Sequence, residues 1–308
     1  MVRKVSLIGM KKIEVRSITN WLSILKSKQW DYFGTRHFRD NSFKPETTNP
    51  CPEFINEKRL WPHLGTLTDY LIRKYFRDKL ISPKAEIILE EYLISELSLD
   101  LLYFEDDSCT RTLGGTEEEI QKSLKLYENG TKWISKYKND DWKEVIQDIW
   151  LMSSMDSLFR SGRFPTIEPL EENEKKELLI FLENILKWLQ KTFNSAKKVY
   201  LNPTLGVSNF VHADGDLIID NCLLDIKTTK HPRLVPNNDV NQLLLYVSLC
   251  HYNSVMKLQN FPEISKMAFI LPQQLVLWER NLTDFTIKDR NDMITKLKSL
   301  SEGNNIII

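Results

Sequence analysis

Apolar residues recur at three- and four-residue steps through much of the first two thirds of the chain. This spacing is the period of a helix that buries one face. The stretches with this pattern are 82–102, 140–158 and 174–192. Gly114-Gly115 separates the first two, as expected of residues that interrupt helices. We therefore predict a mainly helical region before about residue 196.

The pattern changes after residue 196 to short runs typical of β-strands, which alternate with amphipathic or apolar helices. The predicted strands are 198–201, 217–219, 223–226, 267–271 and 275–278, and the predicted helices are 240–251 and about 286–300. Asn237-Asn238-Asp239 supplies candidate caps for the first of these helices. The last third is therefore predicted to be a mixed α/β region.

The segment around residue 220 predicts a β-hairpin. Asp220-Asn221 is a good two-residue turn between two apolar runs. Residues equally distant from that turn face one another, which sets Asp216 opposite Asp225 and Asp214 opposite Lys227 on one face. The apolar residues expected on the opposite, core-facing side are Leu217, Ile219, Leu224 and Ile226.

Two aspartates that face each other across a hairpin require a compensating cation, because facing like charges are destabilising. Mg²⁺ prefers carboxylate and carbonyl oxygens, so Asp216, Asp225 and the Ile226 carbonyl are candidate metal ligands. Lys227 projects from the same face, where it could orient or deprotonate a water and offset developing charge. A solvated polar face of the hairpin is the alternative.

The charge of the whole chain excludes bulk electrostatic attraction to nucleic acid. The 308 residues include 42 Lys and Arg against 42 Asp and Glu, and 42% of them are hydrophobic, enough for a sizeable core. Locally the balance differs, because 214–225 contains four acids and no Lys or Arg, whereas 227–238 contains no acid. Lys230 and Arg233 in the second stretch are candidate phosphate contacts.

No apolar run approaches the roughly 20 residues that span a bilayer, and the N-terminal apolar stretch is too short for a secretory signal. We therefore expect a cytoplasmic protein without a membrane partner. The cysteines are scattered without a CxxC pair, which argues against a disulfide scaffold or a conventional zinc site. They are Cys51, Cys109, Cys222 and Cys250.

The string GDLIIDNCLLDIKTTK, followed by a helix with Gln242 and Tyr246, resembles the RecB-like branch of the PD-(D/E)XK nuclease superfamily. The resemblance implies an α/β restriction-endonuclease-like core, a mixed sheet flanked by helices, with a large helical N-terminal or inserted region. It implies catalysis by Asp216, Asp225 and Lys227 with Mg²⁺ or Mn²⁺. Gln242 and Tyr246, at i and i+4 on one helix face, would contact substrate.

The family also carries an early helix of the form GTxxHxxxE, which Gly65-Thr66 and the following residues resemble. Asp69 stands where the family has His, and Arg73 where it has an acid. Asp69 is therefore a further candidate metal ligand. The expected division of the chain is 1–62, helical or irregular; 63–81, the first core helix; 82–195, a helical insertion; and 196–308, the nuclease core.

The function expected from the resemblance is metal-dependent hydrolysis of nucleic acid, DNA in our prediction, in defence or repair. The chain has no P-loop GxxxxGK[ST], so unwinding would require a helicase or another ATPase subunit as partner. The alternative is a catalytically inactive protein of the same fold that binds nucleic acid or acts as a scaffold. The choice between Asp214 and Asp216 as the first metal ligand stays open.

Overall fold

A computed structural model describes residues 49–58, 60–88, 93–102, 117–161, 164–206, 211, 213–228 and 237–303. The chain divides into two compact units, and the described residues of each are considered separately. One unit includes Glu91–Leu179, and the other includes the described parts of Val15–Glu90 and Ile180–Ile308.

Helices and strands follow one another along the described chain in an order typical of an α/β protein. They are α1 (Glu53–Glu57), α2 (Trp61–Arg77), β1 (Glu86–Ile88), α3 (Ile94–Leu102), α4 (Glu117–Asn139), α5 (Ile146–Ser153), α6 (Asp156–Ser161), α7 (Glu172–Phe193), β2 (Lys198–Leu201), β3 (Leu217–Ile219), β4 (Cys222–Ile226), α8 (Asn237–Val255), β5 (Lys266–Leu271), β6 (Val276–Asn281) and α9 (Ile287–Gly303).

The first unit is helical in its described residues, and a glycine lets its helices approach closely. A Cβ atom added to Gly130 of α4 would lie 2.7 Å from Leu99 Cδ2 of α3 and 2.8 Å from Met155 Cε. The Ser98 hydroxyl donates a hydrogen bond to the Met155 carbonyl, at 2.8 Å. Lys138 and Glu96 form an ion pair between α4 and α3.

The second unit contains a six-stranded mixed sheet with the strands in sequential order from β1 to β6. The pairs β1–β2 and β4–β5 are parallel, and the other three are antiparallel. The predicted α/β class with a mixed sheet is confirmed at this level. The restriction-endonuclease-like architecture and the predicted domain boundaries stay predictions.

The β3–β4 hairpin has the predicted register, with Leu217 opposite Leu224 and Ile219 opposite Cys222. The turn residue Asp220 adopts a positive φ of 53°, which Asp tolerates better than most residues. Its Oδ1 accepts hydrogen bonds from the backbone amides of Lys197 and Lys198, at 3.0 and 2.9 Å. The turn is thus connected to the start of β2.

Both faces of this hairpin are buried. The predicted burial of Leu217, Ile219 and Leu224 is confirmed, and the alternative of a solvated polar face is wrong. Ile218 and Leu223, on the same side as Asp216 and Asp225 by alternation, are fully buried. They belong to a core that includes Leu243 and other apolar residues of α8 and α9. Helices from later in the chain cover this face. The carboxylates lie at the margin of an apolar layer.

Three further predictions about secondary structure need correction. Glu86–Ile88 lies in a stretch predicted to be helical but forms β1, where the Glu86 amide donates to the Lys197 carbonyl at 2.8 Å. The β-branched pair in this strand suits pairing with β2. The predicted helix over 140–158 is divided into α5 and α6. Asp214 pairs with Thr204, not with Lys227, because the chain leaves the hairpin before residue 217.

None of the helices in the described part of the chain is long and apolar enough to cross a membrane. Three cysteines are described, and each is a free thiol: Cys51, Cys222 and Cys250. Cys109 lies outside the described residues. The cytoplasmic location stays a prediction.

Asp220→Ala is expected to lower the free energy of unfolding by about 2 kcal/mol, because alanine lacks both hydrogen bonds and tolerates positive φ poorly. Asp220→Asn retains an oxygen acceptor and the φ preference, so its loss should be smaller. Urea denaturation of the two variants and the wild type measures the difference. Equal stability of Asp220→Ala and the wild type would contradict the role given to this side chain.

Candidate metal centre

Two aspartates meet where β3 begins and β4 ends. Asp216 directly precedes β3, and Asp225 is the fourth of the five residues of β4. The Ile226 amide donates a hydrogen bond to Asp216 Oδ2 at 2.6 Å, and the Asp216 carbonyl accepts one from Asn202 at 2.9 Å. The Asp216 carboxylate is therefore held against the strand that carries Asp225.

Asp225 is a buried carboxylate with little compensation for its charge. It is 6% exposed, and Lys227 Nζ lies 2.9 Å from its Oδ2. Apart from this ion pair, Oδ2 receives no hydrogen bond from the described residues. Burial and the charge of Asp216 raise the pKa of Asp225 from its ordinary 3.8 to about 8, although Lys227 opposes the shift.

Lys227 lies between two carboxylates. Its Nζ is 2.9 Å from Asp225 Oδ2 and 4.0 Å from Asp239 Oδ1 of α8. Burial by itself would lower the pKa of this lysine, but the charges of Asp225 and Asp239 outweigh burial and raise it. Lys227 is therefore an ammonium at neutral pH.

Helix α8 places Asp239, Gln242 and Tyr246 on one face, because three- and four-residue steps return to the same side of a helix. Gln242 Nε2 donates a hydrogen bond to Tyr246 Oη at 2.7 Å. Burial and the nearby charge of Asp225 raise the pKa of the buried Tyr246 well above its usual range. Its hydroxyl therefore keeps its proton and can still donate a hydrogen bond.

The structure brings together most of the candidates that the sequence singled out in this segment. Asp216, Asp225 and Lys227 adjoin one another, and Ile226 lies between the last two. Tyr246 is close enough for the Asp225 charge to affect its pKa, and Gln242 contacts it directly. These contacts place the residues, but their catalytic, ligand and substrate roles stay predictions.

Asp214 and Asp216 differ in their surroundings. Asp214 is exposed, and its segment pairs with Thr204. Asp216 is half-buried, bonds to the backbone beside Asp225, and is the main charge that raises the pKa of Asp225. Asp216 is therefore the one of the two that adjoins Asp225, and the choice of first metal ligand stays a prediction.

Asp69 forms an ion pair with Arg73 one turn further along α2. Arg73 is buried and lies over the ring of Tyr70, 5.0 Å from its centroid. Arg73 stands where the nuclease family that the sequence resembles has an acid. It thus gives Asp69 an ion-pair partner within the same helix. Asp69 as a metal ligand stays a prediction.

The second turn of α2 nevertheless lies beside the end of β4. A Cβ atom on Gly65 would be 3.7 Å from Thr228 Cβ, an ordinary van der Waals contact. The two candidate segments identified in the sequence, the GT-containing helix and the Asp225-Ile-Lys227 strand, are therefore neighbours. Lys230 and Arg233, the predicted phosphate contacts, lie outside the described residues.

Asp239 also belongs to this site, although the sequence predicted for it only a role as a helix cap. Its side chain reaches Lys227, and its charge acts on both Lys227 and Asp225. A signal was available, because Asp239 precedes Gln242 by three residues and therefore shares its helix face.

The donors are suited to a hard divalent cation in type and charge. Three carboxylates, Asp216, Asp225 and Asp239, lie around one ammonium, Lys227. The formal balance is two negative charges once Asp225 is ionised, which its raised pKa of about 8 delays to mildly alkaline pH. Apart from Lys227 Nζ, no donor among the described residues reaches the buried Asp225 Oδ2. Within the described chain, however, no three or more Asp, Glu, His or Cys side chains form a ready metal-binding group. Water or substrate would have to complete the coordination of Mg²⁺.

Comparison of the chain with family models, curated proteins and solved structures found no match.

Asp225→Asn is expected to raise the free energy of unfolding measured in a chelator. Between pH 3.8 and about 8 the folded wild type keeps a proton on Asp225 that the unfolded chain has lost. Wild-type stability therefore falls as pH rises through this window, and the advantage of the variant grows until about pH 8 and then levels off. One pKa unit corresponds to about 1.4 kcal/mol, so a gain of at least about 1 kcal/mol is expected.

Urea denaturation between pH 5 and 9 measures this gain. The matched control is Asp292→Asn on α9, an acid that is 45% exposed and pairs with Lys288, and its effect should stay within about 0.5 kcal/mol. A less stable Asp225→Asn variant at pH 8 would show that the buried carboxylate stabilises the fold.

Proposed function

We propose that the protein is a metal-dependent nuclease that hydrolyses phosphodiester bonds of DNA. The observation that carries the proposal is the buried Asp225 carboxylate, placed beside a second carboxylate and a lysine ammonium where two neighbouring strands meet. Burial of like charges is destabilising, so a bound cation explains the two neighbouring carboxylates better than a contribution to stability does. The sequence resemblance to RecB-like nucleases agrees with it.

Asp216 and Asp225 would hold Mg²⁺ or Mn²⁺, with the Ile226 carbonyl as a third oxygen donor. When bound, the metal would lower the pKa of a coordinated water and polarise the phosphate. The protein's own groups would bind the nucleic acid, orient the water and stabilise the negative charge that develops on the phosphate oxygens.

Lys227 is suited to charge stabilisation. A lysine that serves as a base must be neutral near pH 7, whereas the acids around Lys227 raise its pKa. Its ammonium would donate hydrogen bonds to the attacking water or to a phosphate oxygen. Proton abstraction, the other role expected from the sequence, stays a prediction.

Tyr246 and Gln242 would contact the substrate beside the carboxylates. The Tyr246 hydroxyl accepts from Gln242 and stays protonated, so it can donate to a phosphate oxygen. Lys230 and Arg233 would supply positive charge to the phosphate backbone. The sequence has no P-loop. A helicase or another ATPase would therefore act as a partner in defence or repair and unwind the nucleic acid.

A second candidate is a nuclease-like protein that binds nucleic acid or acts as a scaffold without cleaving it. The observation in its favour is that Lys227 already pairs with Asp225, while no larger metal-binding group occurs in the described residues. An inactive protein would keep the ion pair and show no metal-dependent cleavage.

Asp225→Asn and Lys227→Met are each expected to reduce cleavage at least about 100-fold, because each removes a charged group from the reacting centre. Labelled linear, closed circular, single-stranded and RNA substrates, each incubated with Mg²⁺ or Mn²⁺, measure the activity. Cleavage of closed circles identifies an endonuclease.

Lys266→Met is the matched lysine control. Lys266 lies on β5, is 38% exposed and pairs with Glu279, so its loss should leave cleavage within about twofold of the wild type. Folded Asp225→Asn or Lys227→Met protein with full activity would overturn the proposed site. Wild-type protein that binds DNA but cleaves none of the substrates would favour the scaffold.

A further inference from the structure

Lys227 occupies the position that a metal ion bound to Asp225 Oδ2 would need. Its ammonium is 2.9 Å from this buried oxygen, which receives no hydrogen bond from the other described residues. Two cations cannot share that oxygen without repulsion, because the effective dielectric constant of a buried site is low. A metal ion that binds Asp225 through Oδ2 therefore requires Lys227 to move.

Asp239 is the nearest alternative partner for that ammonium among the described residues. Its Oδ1 lies 4.0 Å from Lys227 Nζ, so a shift of about 1 Å in the long lysine side chain would form a close ion pair. Asp239 belongs to the first turn of α8, a helix of 19 residues that packs in the core. Its carboxylate is therefore held on a rigid element.

We propose that Asp239 is a positioning residue that receives the Lys227 ammonium when a divalent cation binds Asp225. This inference rests on the metal-dependent function proposed above. Without metal, Lys227 pairs with Asp225; with metal, Asp239 pairs with Lys227 and holds it beside the water and the phosphate. Asp239 contacts neither the metal nor the substrate in this account.

The arrangement explains why a third carboxylate lies at a site with a single lysine. Asp239 is 27% exposed and Lys227 is 31% exposed, so the pair is partly shielded from water and its attraction is only partly screened. If Asp239 were absent, a metal ion would displace Lys227 into a position without a counter-charge. Metal affinity would then fall although no ligand had been removed.

The test is a double-mutant cycle in metal affinity, measured by calorimetry with Mn²⁺ on the full chain at about pH 8. The four proteins are the wild type, Asp239→Asn, Lys227→Met and the double variant. Asp239→Asn should weaken Mn²⁺ binding about tenfold in the wild-type background. In the Lys227→Met background the same change should alter affinity by less than about twofold, because there is no ammonium to receive.

Asp284→Asn removes an exposed carboxylate elsewhere and controls for the loss of one negative charge. Equal weakening by Asp239→Asn in both backgrounds would identify Asp239 as a metal ligand and overturn the inference alone. Unchanged affinity of Asp239→Asn in the wild-type background would also overturn it. Absence of Mn²⁺ binding by the wild type would overturn both the inference and the metal-dependent function.

Discussion

The acidic site depends on the register of the β3–β4 hairpin. Side chains alternate between the faces of a strand, so a slip of one residue would move Asp216 and Asp225 to opposite faces. Asp220 fixes the register through its turn conformation and its two hydrogen bonds to the start of β2. Burial of Ile218 and Leu223 beneath α8 adds a second constraint, because a slipped strand would remove them from this core.

The same core makes the site unfavourable in the absence of a ligand. Apolar residues that cover this face of the sheet also exclude water from Asp225, and Asp216 adds a like charge beside it. One lysine compensates for part of this charge. A site arranged in this way is less stable than a neutral one, and an additional cation would relieve the repulsion. The buried carboxylate of Asp225 therefore lowers the stability of the fold, although the proposed function requires it.

Local patterns in the sequence were sufficient to predict the hairpin, its turn and the adjacency of Asp225 and Lys227, because each depends on residues within a few positions. The burial of Asp225 depends on α8 and could not be predicted from the hairpin alone. Strand β1 was missed because its three residues fit a helical period as well as a strand, and pairing with β2 decides between them. The contact of Asp239 with Lys227 likewise depends on tertiary packing.

The central claim is that Asp216 and Asp225 jointly bind a divalent cation. Anomalous X-ray diffraction from crystals of the protein soaked in Mn²⁺ tests this most directly. We predict an anomalous peak within about 2.5 Å of a carboxylate oxygen of both residues, with the Lys227 ammonium withdrawn from Asp225. A fully loaded crystal in which the ion binds elsewhere, and Lys227 still pairs with Asp225, would contradict the account.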